Sequence, residues 1–331
     1  MKVLYGLRVS PTLQDFYRTK LPDEIELIFP AEINEEVLLS SAPDAEVLVA
    51  YKLFSSFMEK AKKLRHIQVP WTGSETLDFE LLRKYPHITI SNSHSNSLAI
   101  AEHAVSLLLS AAKRISYRDS RMRKGDWSPR YNDVDSYWIT GKTVGIIGYG
   151  AIGKKVGTIL KNGFNTKVLA IKRDPNKINH KNQPDFLGGA EDLAYVLKES
   201  DFILIALPET RETEGIIGRS ELQLMKESVI ICNISRGSII KEQDLFEHLR
   251  ENQNAIAALD VWYNYPQNRK DPTNVFQNHP FEKLDNVVMS PHSAFKVHER
   301  EAAFAEDIIT NISLIFRNEE PINQINLDLG Y

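Results

Sequence analysis

A single cysteine in 331 residues, Cys232, excludes an internal disulfide and the stapled fold of a small secreted domain. It lies in the apolar run 229–232 without a basic neighbour, which marks a buried strand residue rather than a nucleophile and fits a reducing compartment. No apolar run reaches 18 residues, and the apolar start at Met1–Gly6 is too short for a signal peptide, so a cytoplasmic chain with no membrane partner is expected. Charge of one sign is not in excess either. Forty basic residues face 44 acidic ones, a net charge of −4, which gives no ground for a nucleic-acid partner. The basic run from Arg118 to Lys124 lacks an interleaved aromatic platform. Repeats and low-complexity tracts are missing. His94, His248 and His298 have no companions at metal-ligand spacing, so no metal is expected.

What is present is an α/β pattern, written twice. With 42% hydrophobic residues the chain is long enough for two cores. Short apolar runs at 2–5, 26–29, 45–50, 67–69 and 88–91 read as strands, with a helix over 53–64 among them. Ser97 then caps a helix whose apolar residues recur at helical spacing to Ala112, and 117–137 reads as a helix end plus an irregular arm. From Gly141 a second unit follows, with strands expected at 143–147, 167–171, 202–206, 229–233, 255–259 and 287–289. The tail from 298 to 317 is helical and is expected to return to the first unit. The expectation is therefore two doubly wound parallel-sheet domains, one formed by 1–100 with 296–331 and the other by 101–295.

The most telling stretch is Thr143–Gly153, a β-branched strand breaking into glycines at 148, 150 and 153 and then a helix. In this spacing Gly148 permits the tight turn, Gly150 lets backbone approach a pyrophosphate, and Gly153 lets the helix pack against the strand. The helix N-terminus is matched to phosphate. At the end of the next strand, where an acidic residue would bond a ribose 2′-hydroxyl, the chain has Lys172 and Arg173. Two cations there suit a 2′-phosphate and favour NADP, whereas a two-residue slip would bring in Asp174 and favour NAD.

Hydride transfer to a 2-keto acid needs a cation for the carboxylate and carbonyl, and an acid for the forming alkoxide. Arg236, in Asn233–Gly237, follows one strand of the second unit, and His292, in Ser290–Phe295, follows another. Strand C-terminal ends face the crevice of a doubly wound sheet, which suits Arg236 as the cation and His292 as acid and base.

The motifs AEHA (101–104), GYGAIG (148–153), LPET (207–210), NISRG (233–237), ALDVW (258–262) and SPHSA (290–294), in this order, resemble the D-isomer-specific 2-hydroxyacid dehydrogenase family over nearly the whole chain. The resemblance implies a Rossmann nucleotide domain inserted into a flavodoxin-like substrate domain, and a homodimer formed largely through the nucleotide domain. In that mechanism Arg236 binds the keto acid and His292 donates the proton. It further implies that Thr72 and Gly73 hold the substrate carboxylate, that Tyr149, Ala151 and Ile152 belong to the pyrophosphate turn, and that Leu207, Pro208, Thr213, Ile234, Ser235 and Asp260 line the nicotinamide side. Glu102 and His103 receive a hinge and packing role. Trp127 and Tyr137 are candidate interface anchors, and the polar stretch 263–279 reads as a loop near the site mouth.

One departure stands out. The family places a glutamate five residues after the aspartate of the LDV motif, where it raises the histidine pKa, and this chain has Tyr265. The expectation is that His292 titrates lower than in glutamate-bearing relatives, so that reduction falls off at lower pH. The favoured function is an NADP(H)-dependent reductase of a small 2-keto acid, glyoxylate- or hydroxypyruvate-like. The alternative is a nucleotide-binding, corepressor-like protein with little catalysis.

Overall fold

The computed structural model describes residues 1–74, 76–131, 135–176, 183–266 and 278–331. The chain divides into two units, Met1–Asn96 with Val297–Tyr331, and Ser97–Lys296. The first boundary falls four residues before the expected one, at the first residue of a helix that packs within the second unit.

Unit 1 is built from β1 (Lys2–Tyr5), α1 (Pro11–Lys20), β2 (Glu26–Ile28), α2 (Glu35–Ser41), β3 (Val47–Val49), α3 (Ser55–Lys60), β4 (His66–Gln68), α4 (Phe79–Leu82) and β5 (Thr89–Ser91). The C-terminal helix, Arg300–Phe316, joins them. The sheet is parallel, in the order β2-β1-β3-β4-β5, the flavodoxin-like order. Side chains alternate between faces. Val3, Tyr5, Val47 and Val49 pack with Tyr17 and with Ala305, Ile308 and Ile312 of the C-terminal helix, while Leu4, Leu48 and Ile67 face a second core.

Strand pairing sets His66 beside Val47 and Gln68 beside Val49, on the face that receives the C-terminal helix. Two polar side chains in a core require partners. His66 Nδ1 lies 2.9 Å from Thr89 Oγ1, and Gln68 Oε1 accepts from Asn311 Nδ2 at 2.7 Å. Asn311 Oδ1 in turn accepts from Ile322 N, so these polar groups fix the register of the tail.

Unit 2 opens with α5 (Ser97–Ala112) and α6 (Ile115–Met122). It continues with β6 (Thr143–Ile147), α7 (Ala151–Phe164), β7 (Lys167–Ile171), β8 (Phe186–Gly188), α8 (Leu193–Glu199), β9 (Phe202–Ile205), α9 (Arg219–Leu224), β10 (Ile230–Asn233), α10 (Glu242–Glu251), β11 (Ile256–Leu259) and β12 (Val287–Met289). Its seven strands are parallel in the order β12-β11-β10-β9-β6-β7-β8. Strand order reverses at β6 and β9, which makes their carboxyl ends the crevice of a Rossmann sheet. The sheet has one strand more than the six expected, because β8, with the sequence FLG, lacks the β-branched residues that mark the others. The arm of 117–137 begins as a helix, α6, and its residues 132–134 lie outside the described residues, as do 267–277 of the polar loop. Cys232 is fully buried in β10.

Burial lowers the His66 pKa to about 4. A histidine depressed in the folded state stabilises the fold above its unfolded pKa, near 6.5, and the contribution is lost as pH falls toward 4. At full extent this is roughly 3 kcal/mol. Urea unfolding of the wild-type chain at pH 7 and pH 4.5 is expected to show a larger loss than unfolding of His66→Gln over the same interval. Parallel losses in the two proteins would contradict the assignment.

Candidate active site

Three glycines shape the turn after β6. Gly148 has φ +106°, and a Cβ there would lie 2.5 Å from the carbonyl oxygen of Ala206. A Cβ on Gly153 would overlap the Gly148 carbonyl oxygen, so α7 can approach the strand only as a glycine helix face. A Cβ on Gly150 would meet nothing within 4 Å. The protein therefore leaves open the space beside Gly150, and the first turn of α7 has no side-chain cap. The amides of Ala151 and Ile152, in this uncapped first turn, fit the pyrophosphate of a nicotinamide dinucleotide. Tyr149 does not share this task. Its amide donates to Ile171 O at 2.8 Å, and its side chain is buried beneath α7 against Gly157.

β7 ends at Ile171, which puts Lys172 first after the strand. Arg173 pairs with Glu212 at 2.8 Å, bridging to the loop after β9. Asp174 Oδ1 accepts from Asn176 N at 3.2 Å and so closes its own turn. In the loop after β9, Thr213 Oγ1 donates to Pro208 O at 2.7 Å and accepts from Thr210 N at 2.9 Å, which folds residues 207–213 on themselves. Leu207 packs against the core below.

Arg236 stands three residues after Asn233, whose side chain clamps the backbone. Asn233, 2% exposed at the end of β10, accepts from Ser235 N and Ser235 Oγ, both at 3.1 Å, and donates from Nδ2 to Arg236 O at 2.9 Å. The guanidinium returns a bond from Nη1 to Ser235 O at 2.7 Å. A Cβ on Gly237 would lie 2.5 Å from the Trp262 carbonyl, so the arginine turn presses directly on the segment after β11. Ile234 points into the core and Ser235 is buried, its hydroxyl used by Asn233.

His292 is held from below. Asp260, 1% exposed, accepts from Ser290 Oγ at 2.6 Å, Ser293 N at 3.0 Å and Ala294 N at 3.2 Å. Burial acts to raise its carboxyl, but the nearby His103 ring, together with these bonds, holds it below the usual carboxylate range. Trp262 Nε1 donates to Ser290 O at 2.8 Å, a second tie to the same turn. At its centre His292 has φ +53°. Asp260 thus works as the anchor of the histidine turn, a role that sequence order alone had not suggested for it.

Tyr265 neighbours the imidazole and feels the arginine charge. Its ring centroid lies 5.5 Å from that of His292, and its hydroxyl accepts from Trp262 N at 3.1 Å. Burial raises the Tyr265 phenol above its ordinary pKa, while the Trp262 amide and the Arg236 charge pull it down. The ring, not the hydroxyl, therefore meets the imidazole, with Arg236 within electrostatic reach. In unit 1, Asn92 Nδ2 donates to Thr72 O at 2.7 Å, and Thr72 Oγ1 donates to Ser93 O at 2.9 Å. The amides of Gly73 and Ser74 donate to no described residue.

A carboxylate at position 265 would favour the imidazolium form of His292. In Tyr265→Glu the falling alkaline limb of a pH–rate profile for reduction is expected to move up by about one pH unit. A limb that stays in place would show that this position does not tune the imidazole.

Residues 105–294 match the family model described as D-isomer specific 2-hydroxyacid dehydrogenase, NAD binding domain. A glyoxylate reductase from Pyrococcus furiosus is 32% identical over 308 residues, which cover 90% of this chain and 87% of that protein. A D-3-phosphoglycerate dehydrogenase from Methanocaldococcus jannaschii is 30% identical over 93% of this chain, which spans only 57% of that longer relative. Among solved structures, an acyclic imino acid reductase in complex with NADPH and D-Arg superposes with a TM-score of 0.76 at 27% identity, covering 98% of this chain and 100% of that one. The chain belongs to the D-isomer specific 2-hydroxyacid dehydrogenase family, and its reaction is hydride transfer between a nicotinamide cofactor and a 2-keto or 2-hydroxy acid.

Proposed function

We propose that the chain works as an NADPH-dependent reductase of a small 2-keto acid, of the glyoxylate or hydroxypyruvate kind, yielding the D-2-hydroxy acid. The bound cofactor supplies the hydride. Arg236 holds the substrate carboxylate and polarises the carbonyl, and His292 gives its proton to the oxygen as charge develops there. The amides at Thr72 and Gly73 are the proposed carboxylate holders of unit 1; the Gly73 amide, which donates to no described residue, supports this.

The observation that carries NADP over NAD is the pair Lys172 and Arg173 immediately beyond β7, where a ribose 2′-hydroxyl would want an acceptor. Asp174, the residue that would favour NAD, is turned to Asn176. A homodimer through the segment after α5 is supported by aromatic exposure there. Trp127, Tyr131 and Trp138 are 59%, 74% and 73% exposed, and large exposed aromatics are the residue type that anchors interfaces. The lone cysteine, fully buried, suits a cytoplasmic setting.

The decisive experiment follows the reduced-nicotinamide absorbance with a panel of keto acids and both cofactors. Lys172→Asp combined with Arg173→Ser is expected to lower kcat/KM with NADPH by about tenfold to a hundredfold, as lost charge-assisted contacts imply, and to improve NADH. Unchanged preference would mean that the phosphate is held elsewhere. Arg236→Gln and His292→Asn are each expected to lower kcat at least about a hundredfold while NADPH still binds. A wild-type chain that binds NADPH and reduces no acid would instead support the regulatory alternative.

A further inference from the structure

His103 has no part in the chemistry above, yet its ring reaches the foundation of the histidine turn. It lies on α5, and Nε2 is 3.1 Å from Ser290 Oγ and 3.3 Å from Asp260 Oδ1. The Ser290 hydroxyl already gives its hydrogen to Asp260 Oδ1 at 2.6 Å. Both atoms facing Nε2 are therefore acceptors, and Nε2 is the protonated nitrogen of the ring. Neighbouring Glu102 is exposed, so the two residues of this motif have separate fates.

Asp260 then has its full set of donors. Oδ1 takes Ser290 Oγ–H and Ser293 N–H, Oδ2 takes Ala294 N–H, and the His103 Nε2–H, in hydrogen-bond reach of Ser290 Oγ, faces Oδ1 at 3.3 Å. Three of these come from the turn that the carboxylate is meant to hold. Only the His103 donor comes from a separate helix. Rotation about the last bond of an aspartate is soft, so donors that move with the turn cannot fix the carboxylate by themselves. A donor anchored on α5 can.

We propose that His103 is a positioning residue for the proton donor. Its Nε2–H pins the Asp260 carboxylate, the carboxylate pins the turn 290–294, and the turn sets where the His292 imidazole stands relative to Arg236. The role rests on His292 being the proton donor. His103 itself touches no reacting atom.

The test uses the full chain with NADPH and either glyoxylate or hydroxypyruvate. His103→Leu is expected to lower kcat about tenfold or more, the scale of a sub-ångström misplacement, with KM for NADPH within about twofold of wild type. His103→Gln, whose side-chain amide can reach the same carboxylate, is expected to restore kcat to within about threefold. Wild-type kcat in the leucine variant overturns the proposal, and so does an equal loss in both variants, since a packing role alone gives no reason for glutamine to rescue. Should the leucine variant not fold, Ser290→Ala removes the shared hydroxyl and takes its place against His103→Gln. If the wild-type chain reduces neither acid, the dehydrogenase assignment fails. The positioning role is then decided by NMR titration of the His292 ring in wild type and His103→Leu, where a shifted midpoint supports it and an identical midpoint overturns it.

Discussion

Asp260 loses nearly all of its water at the end of β11, and the four donors that replace it belong to Ser290, Ser293, Ala294 and His103. An ionised carboxylate buried without such partners would cost several kcal/mol. Satisfied, it joins three things the chain separates by 30 to 187 residues: the end of β11, the turn after β12 and the helix α5. The charge acts on its surroundings too. Together with burial it pushes the thiol of Cys232 well above the ordinary range, so the one cysteine is chemically quiet.

The arginine turn depends on the same segment from the other side. Asn233 sets the backbone of 234–236, and Gly237 lets that backbone lie against the carbonyl of Trp262. Trp262 then reaches Ser290 through its indole and Tyr265 through its amide. Cation, aromatic ring and imidazole thus come from the ends of adjacent strands, β10, β11 and β12, and share one scaffold. Precision here comes from strand ends and clamped turns rather than from long loops.

Legibility in the sequence followed physical scale. β6, β7 and β12 could be read to the residue because buried parallel strands are short β-branched runs. β8 was missed because its residues, FLG, include none that is β-branched, and α6 was read only as a helix end because its sequence, ISYRDSRM, is polar and buries no residue. The glycine turn was legible because backbone constraints are written in residue type. Tyr149 and Ile234 were not, since a letter within a motif does not say whether its side chain enters the crevice or the core. The part played by His103 was hidden for a different reason: contacts made across 157 and 187 residues leave no local trace.

The positive φ of His292 bears on how the residue can be probed. Few side chains tolerate left-handed backbone, and asparagine is among those that do. An alanine placed there would remove the ring and also burden the peptide unit, so that a dead enzyme would report two lesions at once. Asparagine isolates the first. The same reasoning implies that natural variation at this site, in any chain that keeps this turn, should run through asparagine or glycine sooner than through valine or isoleucine.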